Sequence, residues 1–98
     1  MTDRTPLPAE SIDQALTELP GWSYDEGALK KTFELSSFRE AVSFIVRLAF
    51  DAEALNHHPE LVNVYNRIDV TLTTHDAGNQ VTENDVALAR AIERFAWT

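Results

Sequence analysis

The residues of this chain best suited to chemistry at neutral pH are its three histidines, and all of them, His57, His58 and His75, fall between Glu53 and Asp85. Unperturbed imidazole titrates near pH ~6.5, so near neutrality it can present a proton donor or an acceptor to a reacting oxygen. If the three converge, they rim a pocket equipped for general acid-base work. Each also has a plainer account. His57 and His58 would offset the negative end of a helix that stops there, and His75 would be a turn residue. A third account is a nitrogen-oxygen metal site completed by Glu53 or Asp85. The His-x-x-x-His spacing of helical metal sites is absent, and neighbouring histidines such as His57 and His58 tend to point apart, so no metal is expected. Thr82-Glu83-Asn84-Asp85 has the form of a capping box, which gives Asp85 work at a helix start. Glu53 can equally be a solvated helix residue.

The elements that must position these residues can be read from periodicity. Pro8 suits a first turn, and Ile12, Leu16 and Leu19 recur at helical spacing until Leu19-Pro20-Gly21 stops the run. Trp22 and Tyr24 flank Ser23, Asp25-Glu26-Gly27 supplies a loop, and Leu29, Phe33 and Leu35 share one side of the next run, which predicts a β-hairpin. Ser37-Phe38-Arg39-Glu40 is a second capping-box candidate. After it, Phe38, Ala41, Val42, Ile45, Leu48, Ala49, Ala52 and Leu55 mark a long central helix of roughly 30 Å over about 20 residues. Phe44 and Phe50 lie off that stripe and leave apolar surface for a second subunit.

Pro59 disfavours helical geometry at His58, so the helix is expected to end near Asn56-His57 and to deliver both histidines into a connection. Val62 and Val64, flanked by Leu61 and Tyr65, form a third strand. Asn66-Arg67 makes the turn, and Ile68, Val70 and Leu72 alternate with Asp69, Thr71 and Thr73 in a fourth. Antiparallel pairing then sets the start of the third strand beside the end of the fourth, where His57 and His58 can approach His75. Val86, Ala89, Ile92, Phe95 and Ala96 mark a last helix. The order αββαββα predicts an α+β fold: a four-stranded antiparallel sheet with three helices on one face.

With 98 residues, 44% of them hydrophobic, the chain suits one domain spanning 1–98. Eight Lys and Arg against 16 Asp and Glu give a formal charge of -8, which repels phosphate backbones and anionic membrane surfaces, so no direct nucleic-acid or membrane partner is expected. The absence of cysteine excludes thiolate nucleophiles, disulfides and Cys-ligated metals. Met1-Thr2-Asp3-Arg4-Thr5-Pro6 lacks the basic start and apolar run of a secretory signal, so a cytoplasmic location is expected. The edges of a small open sheet are a second reason to expect a homo-oligomer.

The pattern Glu53-x3-His57-His58-Pro59-x5-Tyr65-x9-His75, followed by Asp85, resembles the signature of the pterin-4a-carbinolamine dehydratases, known also through the dimerisation cofactor of a homeodomain transcription factor. Asn56-His57-His58-Pro59-Glu60, Asn63-Val64-Tyr65-Asn66 and Thr74-His75 carry it, and Leu19-Pro20-Gly21-Trp22 and Leu88-Ala89 extend it over nearly the full length. The resemblance implies a hydro-lyase of tetrahydrobiopterin recycling. It would take 4a-hydroxytetrahydrobiopterin, the pterin-4a-carbinolamine, to quinonoid dihydropterin plus water with no cofactor, as a homodimer or homotetramer.

The resemblance also implies roles for the residues. His57 and His75 would be general acids toward the 4a hydroxyl, His58 would chiefly hold the pterin, and Thr74, Glu53 and Asp85 would help place the ring or the histidines. A non-enzymatic oligomeric interaction module of the same fold is the alternative it leaves. Two features depart from the family pattern. Nine residues separate His75 from Asp85, one more than is usual, because Asn79-Gln80-Val81 replaces a shorter Gly-containing link. Leu61 stands where the family commonly carries Trp.

Overall fold

The computed structural model describes residues 4–96; Met1, Thr2 and Asp3, part of the opening segment inspected for a signal, lie outside them, as do Trp97 and Thr98. Helix α1, Ala9–Leu16, starts after Pro8, which sits in extended backbone (φ -66°, ψ 156°) at the cap rather than within the first turn. It ends earlier than periodicity suggests. Thr17, Glu18 and Leu19 each donate three residues back, to Gln14, Ala15 and Leu16. These tighter turns still bury Leu19 while carrying the chain to Pro20.

Strands β1, Ser23–Asp25, and β2, Ala28–Glu34, form the expected hairpin, with Asp25 opposite Ala28. Its two turn residues, Glu26 and Gly27, both have positive φ (49° and 78°), as a tight hairpin turn requires.

Helix α2, Phe38–Leu55, is capped by Ser37, whose hydroxyl accepts from Glu40 N–H at 3.1 Å. Its inward face keeps Ala41, Leu48 and Ala52 of the stripe periodicity selects, with Ile45 and Leu55 packed against the core, but adds Phe44 and leaves Phe38 and Val42 outside. Ala41, Phe44, Leu48 and Ala52 are buried, whereas Phe38, Val42, Val46 and Phe50 form an exposed apolar row. Phe44 is therefore a core residue, its ring 4.8 Å from that of Phe33 and 5.3 Å from that of Phe95. Apolar residues at i, i+4 spacing occupy two faces of this helix, so periodicity alone does not choose between them.

Strands β3, Glu60–Val64, and β4, Arg67–Leu72, are joined by Tyr65-Asn66 rather than Asn66-Arg67, because Val64 pairs with Arg67. Tyr65 takes a φ of 55°, unusual for a bulky residue. The asparagines hold it there. Asn63 Nδ2 donates to the carbonyls of Tyr65 and Arg67 at 3.1 and 2.9 Å, and Asn66 Nδ2 donates to Leu35 O at 2.9 Å.

The sheet is antiparallel, in the order β1-β2-β4-β3. Leu29, Phe33, Ile68, Val70 and Leu72 face a core completed by Ile12, Leu48, Val86 and Ile92 from the helices. Thr32 and Asp69, paired across the other face at 2.7 Å, are polar because, among the described residues, no helix covers that side. Helix α3, Glu83–Phe95, closes the αββαββα order. Glu93 ties it to the first hairpin, accepting from Trp22 Nε1 at 2.9 Å and Lys31 Nζ at 2.7 Å. Among the described residues no helix is long and apolar enough to cross a membrane.

Candidate active site

The end of α2 is built to present His57 in one orientation. Asn56 adopts the left-handed conformation (φ 50°, ψ 45°). Asn56 N–H donates to Glu53 O at 3.1 Å and His57 N–H to Ala52 O at 3.0 Å. This paired arrangement satisfies the last carbonyls of the helix and folds the chain back over it. The His57 ring is thereby carried inward and is 6% exposed.

Asp85 meets it from the first turn of α3. Its Oδ1 lies 2.5 Å from His57 Nε2, and its Oδ2 accepts from Thr74 Oγ1 at 2.8 Å and from Thr82 N–H at 2.9 Å. The Thr74 proton is spent on Asp85, so in the 2.8 Å contact between the two hydroxyls Thr82 is the donor. Thr82 Oγ1 in turn accepts from Asn84 N–H at 3.2 Å. Asp85 and Thr82 have no exposed surface and Thr74 has 1%. The capping box and the contact to His57 are thus one carboxylate's work.

An ionised carboxylate only accepts, so Nε2 of His57 carries the proton and Nδ1 is the ring nitrogen left for other partners. His58 turns the other way, into solvent, where its Nε2 lies 2.8 Å from Glu53 Oε1. His75 opens a 3₁₀ turn, His75–Ala77, directly after β4, and is exposed.

All three histidines line one open cleft of about 210 Å³, together with Arg4, Thr74 and Asp76. The β3–β4 hairpin brings them together as the sequence implies, since Glu60, the first residue of β3, pairs with Thr71 near the end of β4. Thr74 belongs to the cleft wall and Asp85 lies behind it, and the side-chain polar atoms of both are turned to protein partners. Asp85 contacts His57 directly and Thr74 bonds to Asp85. Arg4 and Asp76 were not singled out from the sequence, where no spacing signal marks either.

The family model described as pterin 4 alpha carbinolamine dehydratase matches residues 5–95. The chain belongs to the pterin-4a-carbinolamine dehydratase family. A relative in Opitutus terrae is 57% identical over 95% of this chain and 96% of its own, and one in Rhizobium johnstonii is 48% identical over 92% and 90%. Both are named, provisionally, for pterin-4-alpha-carbinolamine dehydratase. A crystal structure described as a transcriptional coactivator/pterin dehydratase from Brucella melitensis superposes with a TM-score of 0.90, at 39% identity, covering 95% of this chain and all of that one.

Within the pterin-4a-carbinolamine dehydratase pattern, the two departures can now be located. In the link between His75 and Asp85, Gly78 and Asn79 both take positive φ, and Thr74 N–H donates to Gln80 O at 3.0 Å. Asp85 reaches His57 despite the added residue. Leu61 pairs with Val70 and packs against the core, so the wall of the described cleft is built without it.

Proposed function

We propose that this protein is a 4a-hydroxytetrahydrobiopterin dehydratase, a hydro-lyase acting in tetrahydrobiopterin recycling. The observation that carries the reading is the convergence of His57, His58 and His75 on one cleft, with His57 held from behind by Asp85. The 4a carbon of the substrate is a hemiaminal centre. Protonation of its hydroxyl by an imidazolium lets the N5 lone pair form the C4a–N5 double bond as the C4a–O bond breaks and water leaves. The N5 proton then departs to a neutral imidazole, giving the quinonoid dihydropterin. One proton enters and one leaves, and no electrons are exchanged with any other group.

In this reading His57 and His75, both lining the cleft, supply the acid toward the hydroxyl. His58, paired with Glu53 at the rim, holds and orients the pterin. Positioned acid catalysis supplies roughly 10²- to 10⁴-fold over the solvent reaction, enough for an elimination whose leaving group needs only one proton. The test is the breakdown of 4a-hydroxytetrahydropterin followed by ultraviolet absorbance, with and without purified protein, in buffer containing chelator. Acceleration that survives the chelator supports the dehydratase; a rate equal to the buffer alone would sink it.

A second reading, an oligomeric protein-interaction module, is favoured by the exposed row Phe38, Val42, Val46 and Phe50 on α2. It predicts a stable protein partner that is lost on replacing Phe50 with Asp.

A further inference from the structure

Arg4 is distant in sequence from the histidines, yet its guanidinium crosses the mouth of their cleft. Nη1 donates to Asp76 Oδ2 at 2.8 Å and Nη2 to the Asn56 carbonyl at 3.4 Å. Asp76 follows His75 within the same 3₁₀ turn, and Asn56 is the left-handed residue immediately before His57. One planar cation therefore bridges the two backbone segments that bear the histidines. Asp85 joins those segments from the buried side, through His57 and Thr74; Arg4 joins them from the solvent side. The stretch carrying Arg4 is itself anchored, since Leu7 N–H donates to Val81 O at 2.9 Å and Leu7 packs against the core.

The exposures of the two paired side chains, 36% for Arg4 and 71% for Asp76, make this a pair that adds little to global stability. Its effect is local. His75 sits on a one-turn 3₁₀ helix whose backbone is held by Gly78 N–H to His75 O and by Ala77 and Asn79 N–H to Thr74 O. Its ring has no side-chain partner among the described residues, so the neighbouring Asp76 contact is the side-chain tie nearest to it. The guanidinium fork suits the task, because one arm takes a carboxylate while the other takes a carbonyl; an ammonium at the end of a flexible stem lacks that fixed geometry.

We infer that Arg4 is a positioning residue for the histidine cleft, setting the placement of His75 relative to His57 and His58. For its kinetic consequence the inference rests on the dehydratase reading; for its structural consequence it does not. Catalytic groups displaced by a fraction of an ångström to one ångström lose rate steeply, so a surface contact of negligible stability can still matter to turnover.

The test compares Arg4→Ala, Asp76→Asn and the double variant in the full chain, with two readouts. The first needs no substrate: the ring resonances of His75 and the hydrogen exchange of the 75–78 amides by NMR. The second is kcat and KM for 4a-hydroxytetrahydropterin. Each single variant is expected to shift the His75 resonances, speed exchange in the turn and lower kcat/KM about 10-fold at unchanged Tm, and the double variant to be no worse than the more affected single. Parental His75 resonances and exchange in both singles would overturn the inference, as would effects that add in the double variant. A parent with no dehydratase activity would sink the functional reading and leave the NMR comparison to decide the role of Arg4.

Discussion

Nε2 of His57 and Oδ1 of Asp85 are 2.5 Å apart in a site with almost no solvent access. The contact sets which ring nitrogen of His57 is engaged by the carboxylate and leaves Nδ1 as the other. Asp85→Asn keeps the shape and an oxygen able to accept from Thr74 and Thr82, but turns an N–H toward Nε2 and so drives the ring proton to Nδ1. Turnover is expected to fall by about 10²- to 10⁴-fold with the far-ultraviolet circular dichroism retained. Nitrogen-15 chemical shifts of the ring report the tautomer; a reversed tautomer with parental turnover would show that its orientation is immaterial.

His57 and His75 are expected to separate activity from stability. His75 is exposed, so His75→Ala should leave stability within about 0.5 kcal/mol while lowering turnover about 10²-fold or more. His57→Ala also removes a partner from a fully buried carboxylate, which costs about 1–3 kcal/mol. Urea denaturation read alongside kcat distinguishes the two, and equal stability losses would contradict the burial difference.

Gly27 is the point where the first hairpin touches the loop that follows His75. A Cβ there would meet Asn79 O at 2.3 Å, on a residue whose φ is 78°, and Thr73 Oγ1 donates to Gly27 O at 2.8 Å. Gly27→Ala is expected to cost about 1–3 kcal/mol and to lower turnover through displacement of the 75–80 loop. Thermal unfolding and kcat together test this, and a variant with parental values of both would show that the loop yields freely.

The two phenylalanines of α2 should behave oppositely. Phe44→Ala empties a site between Phe33 and Phe95 and is expected to destabilise by about 3–5 kcal/mol, whereas Phe50, 73% exposed, should tolerate alanine within about 0.5 kcal/mol in the isolated subunit. Denaturation at several protein concentrations measures both. A concentration-dependent loss on Phe50→Ala would reveal that the exposed row is covered by a second copy.

Element order was legible because strand and helix periods differ and because Pro, Gly and Ser mark their ends. His58-Pro59 announced the end of α2, and the hairpin argument correctly brought three histidines to one place. Two features escaped pattern reading for physical reasons. The α2 face was misassigned at Phe44 because a helix that is apolar on two sides has no unique inward stripe, and only the position of Phe33 and Phe95 decides. The β3–β4 turn was placed one residue late because Tyr65 at positive φ is disfavoured locally and is stabilised by Asn63 and Asn66, whose bonds depend on tertiary context. At the site, the residues alone gave Asp85 only its capping role, and it was the resemblance that set it near the histidines, without naming His57 as its partner; Arg4 carries no motif at all.

The double duty of Asp85 joins two events that most folds keep apart. Fraying of the first turn of α3 would withdraw the carboxylate from His57, so on the dehydratase reading the local opening equilibrium of that turn would also be the equilibrium between an armed and a disarmed imidazole. On heating, the loss of competence would then follow the breathing of one helical turn and precede the cooperative melting of the sheet.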